Sequence, residues 1–216
     1  MSSSLFETKH FMNMSRVKPE HIRREQIIDA AFDVIYNIGL TNTTIAKIAK
    51  QAGLSTGIVS HYFGDKQGLI NACMRGMLNE LRTQTEQYKA KVSQNPVDLI
   101  KAIIDSNFDS SQTNAKAMRL WLEFWTASMH TPELGRLQRI NDQRSYSNLK
   151  YHFLKLIPEP QANIAAHGLA ALIDGLWLRA SLMGRQDHFD VEQSRLIAYN
   201  YLNTQIHLYQ ELQENS

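Results

Sequence analysis

Apolar side chains recur along this chain at the three-and-four spacing of α-helices, and no stretch alternates apolar and polar residues as a half-buried strand would. Ile27, Ala31, Val34, Ile35 and Ile38 form one stripe, which begins after Pro19 and stops at Gly39. Ile45, Ile48, Ala49 and Ala52 form a shorter second stripe at i, i+3, i+4 and i+7. Gly53 can end that helix in a left-handed turn at little steric cost, and Ser55 offers an N-cap oxygen to the next. In that next helix Val59 and Phe63, four apart, point inward, while Thr56, Gly57, Ser60 and His61 fall on the opposite face. Asp65 then caps a helix reaching to about Lys91, long enough to connect two domains. Pro96 and Pro132 open later helices, and Pro158 and Pro160 separate two more, because proline fits a first turn and not a helix interior. A helix over about 161–184 is apolar nearly all round and must be covered on both sides. A last one over about 190–212 carries Val191, Leu196, Ala198, Tyr199, Leu202, Ile206 and Tyr209. The pattern predicts an all-α protein of about nine helices. A disordered tail (1–18) precedes a three-helix unit (19–66) and a larger helical domain (67–216).

Two short helices joined by a tight turn, the second with a polar outer face, make a helix-turn-helix, in which the second helix enters the major groove of DNA. Ser55 and Thr56 carry short hydroxyls that reach phosphates or base edges, and Gly57 lets the backbone approach closely. Lys66 opens a helix where a cation and free backbone N–H groups can hold a phosphate, and Thr43 and Thr44 are placed to do the same or only to cap.

The run Ile45-xx-Ile48-Ala49-xx-Ala52-Gly53-Leu54-Ser55, followed by His61-Tyr62-Phe63, Asp65-Lys66 and Leu69, resembles the DNA-binding domain of the TetR family of bacterial repressors over residues 20 to 70. Asn107-Phe108-Asp109, Trp121-Leu122, Phe124-Trp125, Ser128-Met129-His130 and the stretch from Gly168 to Arg179 are similar to the BetI-type members of that family. The resemblance implies a helix-turn-helix domain joined to a helical ligand-binding and dimerisation domain. It carries Thr44, Thr56, Gly57, Ser60, His61, Tyr62 and Lys66 over as DNA contacts. It also implies a cytoplasmic homodimer joined by the last two helices, bound to an inverted-repeat operator of double-stranded DNA. Such a repressor of choline-to-glycine-betaine genes would be released by choline. Gly168, Ala171 and Gly175, small enough for close helix approach, with Leu202 and Ile206, are the expected interface. Two rival readings are a regulator of a drug-efflux or other catabolic operon, and a helical small-molecule carrier that does not bind DNA.

The ligand side rests on aromatics. Trp121 and Trp125 are i,i+4 neighbours, and Phe108 and Trp177 are the further walls of an expected cage. Aromatic faces attract quaternary ammonium ions, at about 0.5–2 kcal/mol each. Glu123 or Asp109 is the expected balancing carboxylate, with Asp174 a further choice. The same aromatic stripe is also what an ordinary helical core looks like.

Charge changes the picture only locally. The chain has 216 residues, 23 basic against 21 acidic, a net +2, so it is not a globally basic nucleic-acid binder. Residues 41–75, however, hold Lys47, Lys50, Lys66 and Arg75 against Asp65 alone. The single cysteine, Cys73, precludes an intrachain disulfide and reads as a small buried hydrophobe or, alternatively, a redox thiol. The first 18 residues lack the apolar core of a secretory signal. Asp174 and Arg179 interrupt the longest apolar run, so no membrane span is expected. Eight histidines fall at no metal-binding spacing, and no nucleophile elbow is present, so neither a cofactor, a metal nor an enzyme is expected.

Overall fold

A computed structural model describes residues 19–182 and 190–214, with side chains through Tyr209. The expected tail at 1–18 lies outside the described residues, as does the end of the expected 161–184 helix. The described residues form ten helical segments and no strand: α1 (Glu20–Ile38), α2 (Ile45–Ala52), α3 (Thr56–Phe63), α4 (Lys66–Ala90), α5 (Pro96–Asn107), α6 (Ser110–Thr113), α7 (Ala115–Ser128), α8 (Pro132–Phe153), α9 (Glu159–Leu182) and α10 (Val191–Glu214). These are the nine expected helices plus α6, a four-residue turn capped by Asp109, too short to show any period.

The helix ends follow local chemistry. Thr44, Ser55 and Asp65 accept the backbone N–H three residues on and so cap α2, α3 and α4. Gly53 closes α2 at φ 66°, ψ 35°, the left-handed conformation that glycine adopts without strain.

α1, α2 and α3 pack on one another through Ile27, Ala31, Val34, Ile35, Ile48, Ala49, Ala52 and Val59, all buried. α4 packs on α1 and α3 and also on α5 and α8. Its buried Leu69, Ile70, Cys73 and Met74 belong to one apolar cluster that continues past residue 66 through Ile100, Phe124, Phe153 and Leu169 to Leu202. α4 is therefore shared between head and body. Burial and the nearby Asp29 charge push the Cys73 thiol up to about 12, so it is an inert core group.

α8, α9 and α10 stack in sequence, with α7 against α8 and α9 and with α5 against α8 and α10. Two expected interface residues are used inside the chain. A Cβ at Gly168 would lie 1.9 Å from the Tyr201 hydroxyl oxygen, so this glycine makes room for α10 of its own chain. Leu202 is fully buried in the same core. Ile206 is partly buried against it. Ala171 and Gly175 remain on an open face of α9 with Ile164 and Leu182, and α10 exposes Leu196, Ile197 and Leu208. Within the single chain one side of α9 carries the core and the other is bare, the arrangement expected of a helix that leaves one side for a partner.

Candidate nucleic-acid interface and ligand cavity

Val59, fully buried, anchors α3 to the head and turns Thr56, Gly57, Ile58, Ser60 and His61 outward. Ser55 and Thr44 are exposed at the helix starts beside this face. Ile58 was missed in the sequence because an apolar residue reads as core. It is 39 % exposed on the same outer face of α3. Tyr62 is half-buried, with its carbonyl accepting from the Arg24 guanidinium at 2.7 Å. Arg24 also lies 4.5 Å from the Phe63 ring centroid, pinning α3 against α1.

Two residues of this set serve the head's interior. Thr43 is completely buried, and its hydroxyl donates to the Gly39 carbonyl at 2.8 Å; it does not face the polar surface, which corrects its expected role as a DNA contact. Lys66 is half-buried, and its ammonium donates to the Leu40 and Thr41 carbonyls at 3.2 and 3.5 Å. It ties α4 to the turn after α1, and of its three N–H donors one is left for a phosphate. Lys47 and Lys50 are exposed on α2 beside the same face.

In the body, a cavity of about 380 Å³ opens between α7, α8 and α9. Trp121 and Trp125 reach it from α7 and Trp177 from α9. The ring centroids of Trp125 lie 6.5 Å from Trp121 and 5.3 Å from Trp177. Gln112 of α6 pins two of the rings: its side-chain oxygen accepts from the Trp121 indole N–H at 3.1 Å and its carbonyl from that of Trp177 at 3.2 Å. With those donors tied off, the rings offer only π-surface. No sequence period could have singled out Gln112.

Two carboxylates face the aromatics. Asp142 on α8 accepts from Gln138 at 2.7 Å, and Asp174 lies opposite on α9. Among the described residues neither makes an ion pair. Asp174 keeps contact with solvent through the open side, but protein crowds it from most directions. That desolvation, with the Asp142 charge, raises its carboxyl to about 6. Desolvation raises Asp142 as well. Tyr146 and His167 stack at 3.9 Å at the rim.

Three expected cage residues stand elsewhere. Phe108 is buried at the end of α5, outside the cavity lining. Asp109 caps α6 and accepts from the Tyr88 hydroxyl at 2.8 Å, so its oxygens are already engaged. Glu123 accepts from the Leu40 N–H at 3.0 Å, at the head. It sits two residues from both Trp121 and Trp125, roughly 200° around the helix from each, which turns it away from the cavity.

No group of three or more metal-ligating side chains occurs among the described residues, and no described helix is long and apolar enough to cross a membrane. Residues 27–73 match the family described as bacterial regulatory proteins, tetR family. Residues 96–207 match the one described as BetI-type transcriptional repressor, C-terminal. The HTH-type transcriptional regulator BetI of Stenotrophomonas maltophilia is 58 % identical over 187 residues, 87 % of this chain and 94 % of that protein. BetI 1 of Chromohalobacter salexigens is 48 % identical over 89 % of this chain and 95 % of its own length. Among solved structures, a putative transcriptional regulator from Saccharomonospora viridis in complex with choline superposes with a TM-score of 0.72 at 19 % identity, covering 85 % of this chain and 96 % of that one.

Proposed function

The chain belongs to the TetR family of helix-turn-helix transcriptional regulators, with a BetI-type repressor C-terminal domain, and from that premise we propose that it is a cytoplasmic homodimer released from its operator by choline. It is a transcriptional repressor and not an enzyme: its C-terminal part matches a BetI-type transcriptional repressor family, and its relatives are named transcriptional regulators. The genes it controls are those for making glycine betaine from choline.

One observation carries the choice of effector: three tryptophan faces and two carboxylates without a cation meet in one cavity. A quaternary ammonium has no N–H to donate, so aromatic faces and negative charge are what can hold it. Three rings at about 0.5–2 kcal/mol each supply about 1.5–6 kcal/mol, whose upper part corresponds to dissociation constants from millimolar to tens of micromolar. The cavity is at the small end of the range for ligand sites, which favours choline over a bulky drug.

On the DNA side, Thr44, Ser55, Thr56, Gly57, Ser60, His61 and Tyr62 form the contact surface, with Ile58 added and Lys66 limited to its remaining N–H. Two such heads read successive major grooves about 34–36 Å apart, on an inverted repeat. Choline favours a different head spacing, and a coupling of about 1–3 kcal/mol lowers operator affinity about 5- to 150-fold.

A gel shift with DNA from upstream of the chain's own gene tests this. A retarded band that millimolar choline removes is expected. A band that only bulkier cations remove would make this an efflux-type regulator, and choline binding without any retarded band would make it a carrier.

A further inference from the structure

We propose that Asp142 and Asp174 set the effector specificity of the cavity, admitting quaternary ammonium ions with a neutral tail and rejecting those that carry a carboxylate or phosphate. The proposal rests on the reading of this cavity as a cation site and adds to it what the site refuses.

The lining is one-sided in charge. Asp142 and Asp174 enter from α8 and α9, and among the described residues no lysine or arginine lines the cavity. Its other titratable ring groups, His167 and Tyr146, are stacked on each other at the rim, and the Tyr146 hydroxyl donates to Asn163. Of the three indole N–H groups, those of Trp121 and Trp177 are committed to Gln112, and that of Trp125 is a neutral donor. Gln138 is committed to Asp142. The amides and hydroxyl left over, from Asn107, Asn141, Gln143 and Ser145, are neutral.

α8 sorts charge between two spaces. Arg144 stands two residues beyond Asp142, about 200° around the helix. It lines, with Arg82 of α4, a separate cleft of about 530 Å³. Asn141, Gln143 and Ser145 line both spaces and divide them. Acid therefore faces the aromatics, and base faces away. Desolvation is the main cause of the raised Asp174 carboxyl, and the Asp142 charge adds to it.

A tail hydroxyl, as in choline, can donate to either aspartate. A tail carboxylate in its place meets two like charges and no partner. Both aspartates keep contact with solvent, and one such contact at about 6 Å costs on the order of tenfold in affinity.

Isothermal titration of the full-length protein near pH 7.5 with choline, glycine betaine and phosphocholine provides the test. Glycine betaine matches choline in size, so their ratio isolates charge from fit. Choline should bind at least about tenfold more tightly than either anion-bearing ligand. In Asp174→Asn and Asp142→Asn, whose folding is checked by thermal melting, choline should weaken while glycine betaine holds or gains, so that the ratio narrows. A purely structural aspartate would weaken all ligands together and leave the ratio alone. Glycine betaine bound as tightly as choline by the wild type, or an unchanged ratio in both variants, overturns the proposal with the cation site intact. Failure of all three ligands to bind refutes the cation site itself, and the proposal with it.

Discussion

Thr43 and Thr44 are adjacent and chemically identical, yet one is fully buried and back-bonded to Gly39 while the other is exposed and caps α2. Thr43→Val keeps the shape and removes the hydroxyl. It should lower stability by about 1 kcal/mol in chemical denaturation, and it should weaken operator and scrambled DNA by the same factor. His152 is a second residue whose environment overrides its type. It is buried, with no hydrogen-bond partner for either ring nitrogen, and desolvation with the Lys89 and Lys155 charges lowers it to about 4. The folded chain keeps this ring neutral where the unfolded chain, with its ordinary value of 6.5, would take a proton. Its contribution is therefore whole above pH 6.5 and is lost as pH falls from 6.5 towards 4, at up to about 1.4 kcal/mol per pH unit. Urea denaturation between pH 7 and 4.5 should show that slope, and His152→Phe should flatten it.

At the scale of elements, α7 stands out for having two occupied faces. Trp121 and Trp125 project into the cavity on one side. On the other, Glu123 holds the Leu40 N–H, and Lys116 pairs with Asp33 of α1 at 2.6 Å. A ligand wedged against the tryptophans pushes on the same rigid rod that grips the head. Glu123→Ala should leave choline affinity within about threefold of wild type. The ratio of operator affinities without and with choline should shrink by at least about threefold, a loss of about 0.7 kcal/mol or more from a coupling of typical size. Calorimetry paired with gel shifts checks both halves, and an unchanged ratio would show that α7 is not the route.

Across the whole molecule, the bare apolar face of α9 and α10 asks for a partner, since Ile164 and Leu182 are 68 % and 69 % exposed and lie on one side of α9 with Ala171 and Gly175. Two copies joined there would cover it and set the spacing of the heads. Gly175→Arg tests this, because among the described residues, its chain neighbours and the local helix backbone aside, nothing lies within 4 Å of a Cβ at that position, so the isolated fold should tolerate the change. Sedimentation at micromolar concentration should show a dimer for the wild type and a folded monomer for the variant. The variant's affinity for a full inverted repeat should fall to that for a half-site.

What the residues determined unaided is whatever acts within a few positions along the chain. Helix periods, the caps at Thr44, Ser55 and Asp65, the glycine turn at Gly53 and the polar face of α3 are all set by i to i+4 geometry and were legible, while the burial of Thr43, the tie of Lys66 to the turn after α1 and the exposure of Ile58 were not. The three tryptophans were legible as aromatics at helical spacing, a feature shared by cavities and cores. Their meeting in one cavity is a product of packing α7 against α9, with Gln112 between them. Asp174 and Asp142 oppose the rings, while Glu123 and Asp109 do not, because the direction of a side chain across a helix is local but what stands in that direction is not. Gly168 and Leu202 carry the same lesson for α9 and α10: size and apolarity mark a contact, and only the packed chain decides whether the neighbour is its own Tyr201 or a second copy.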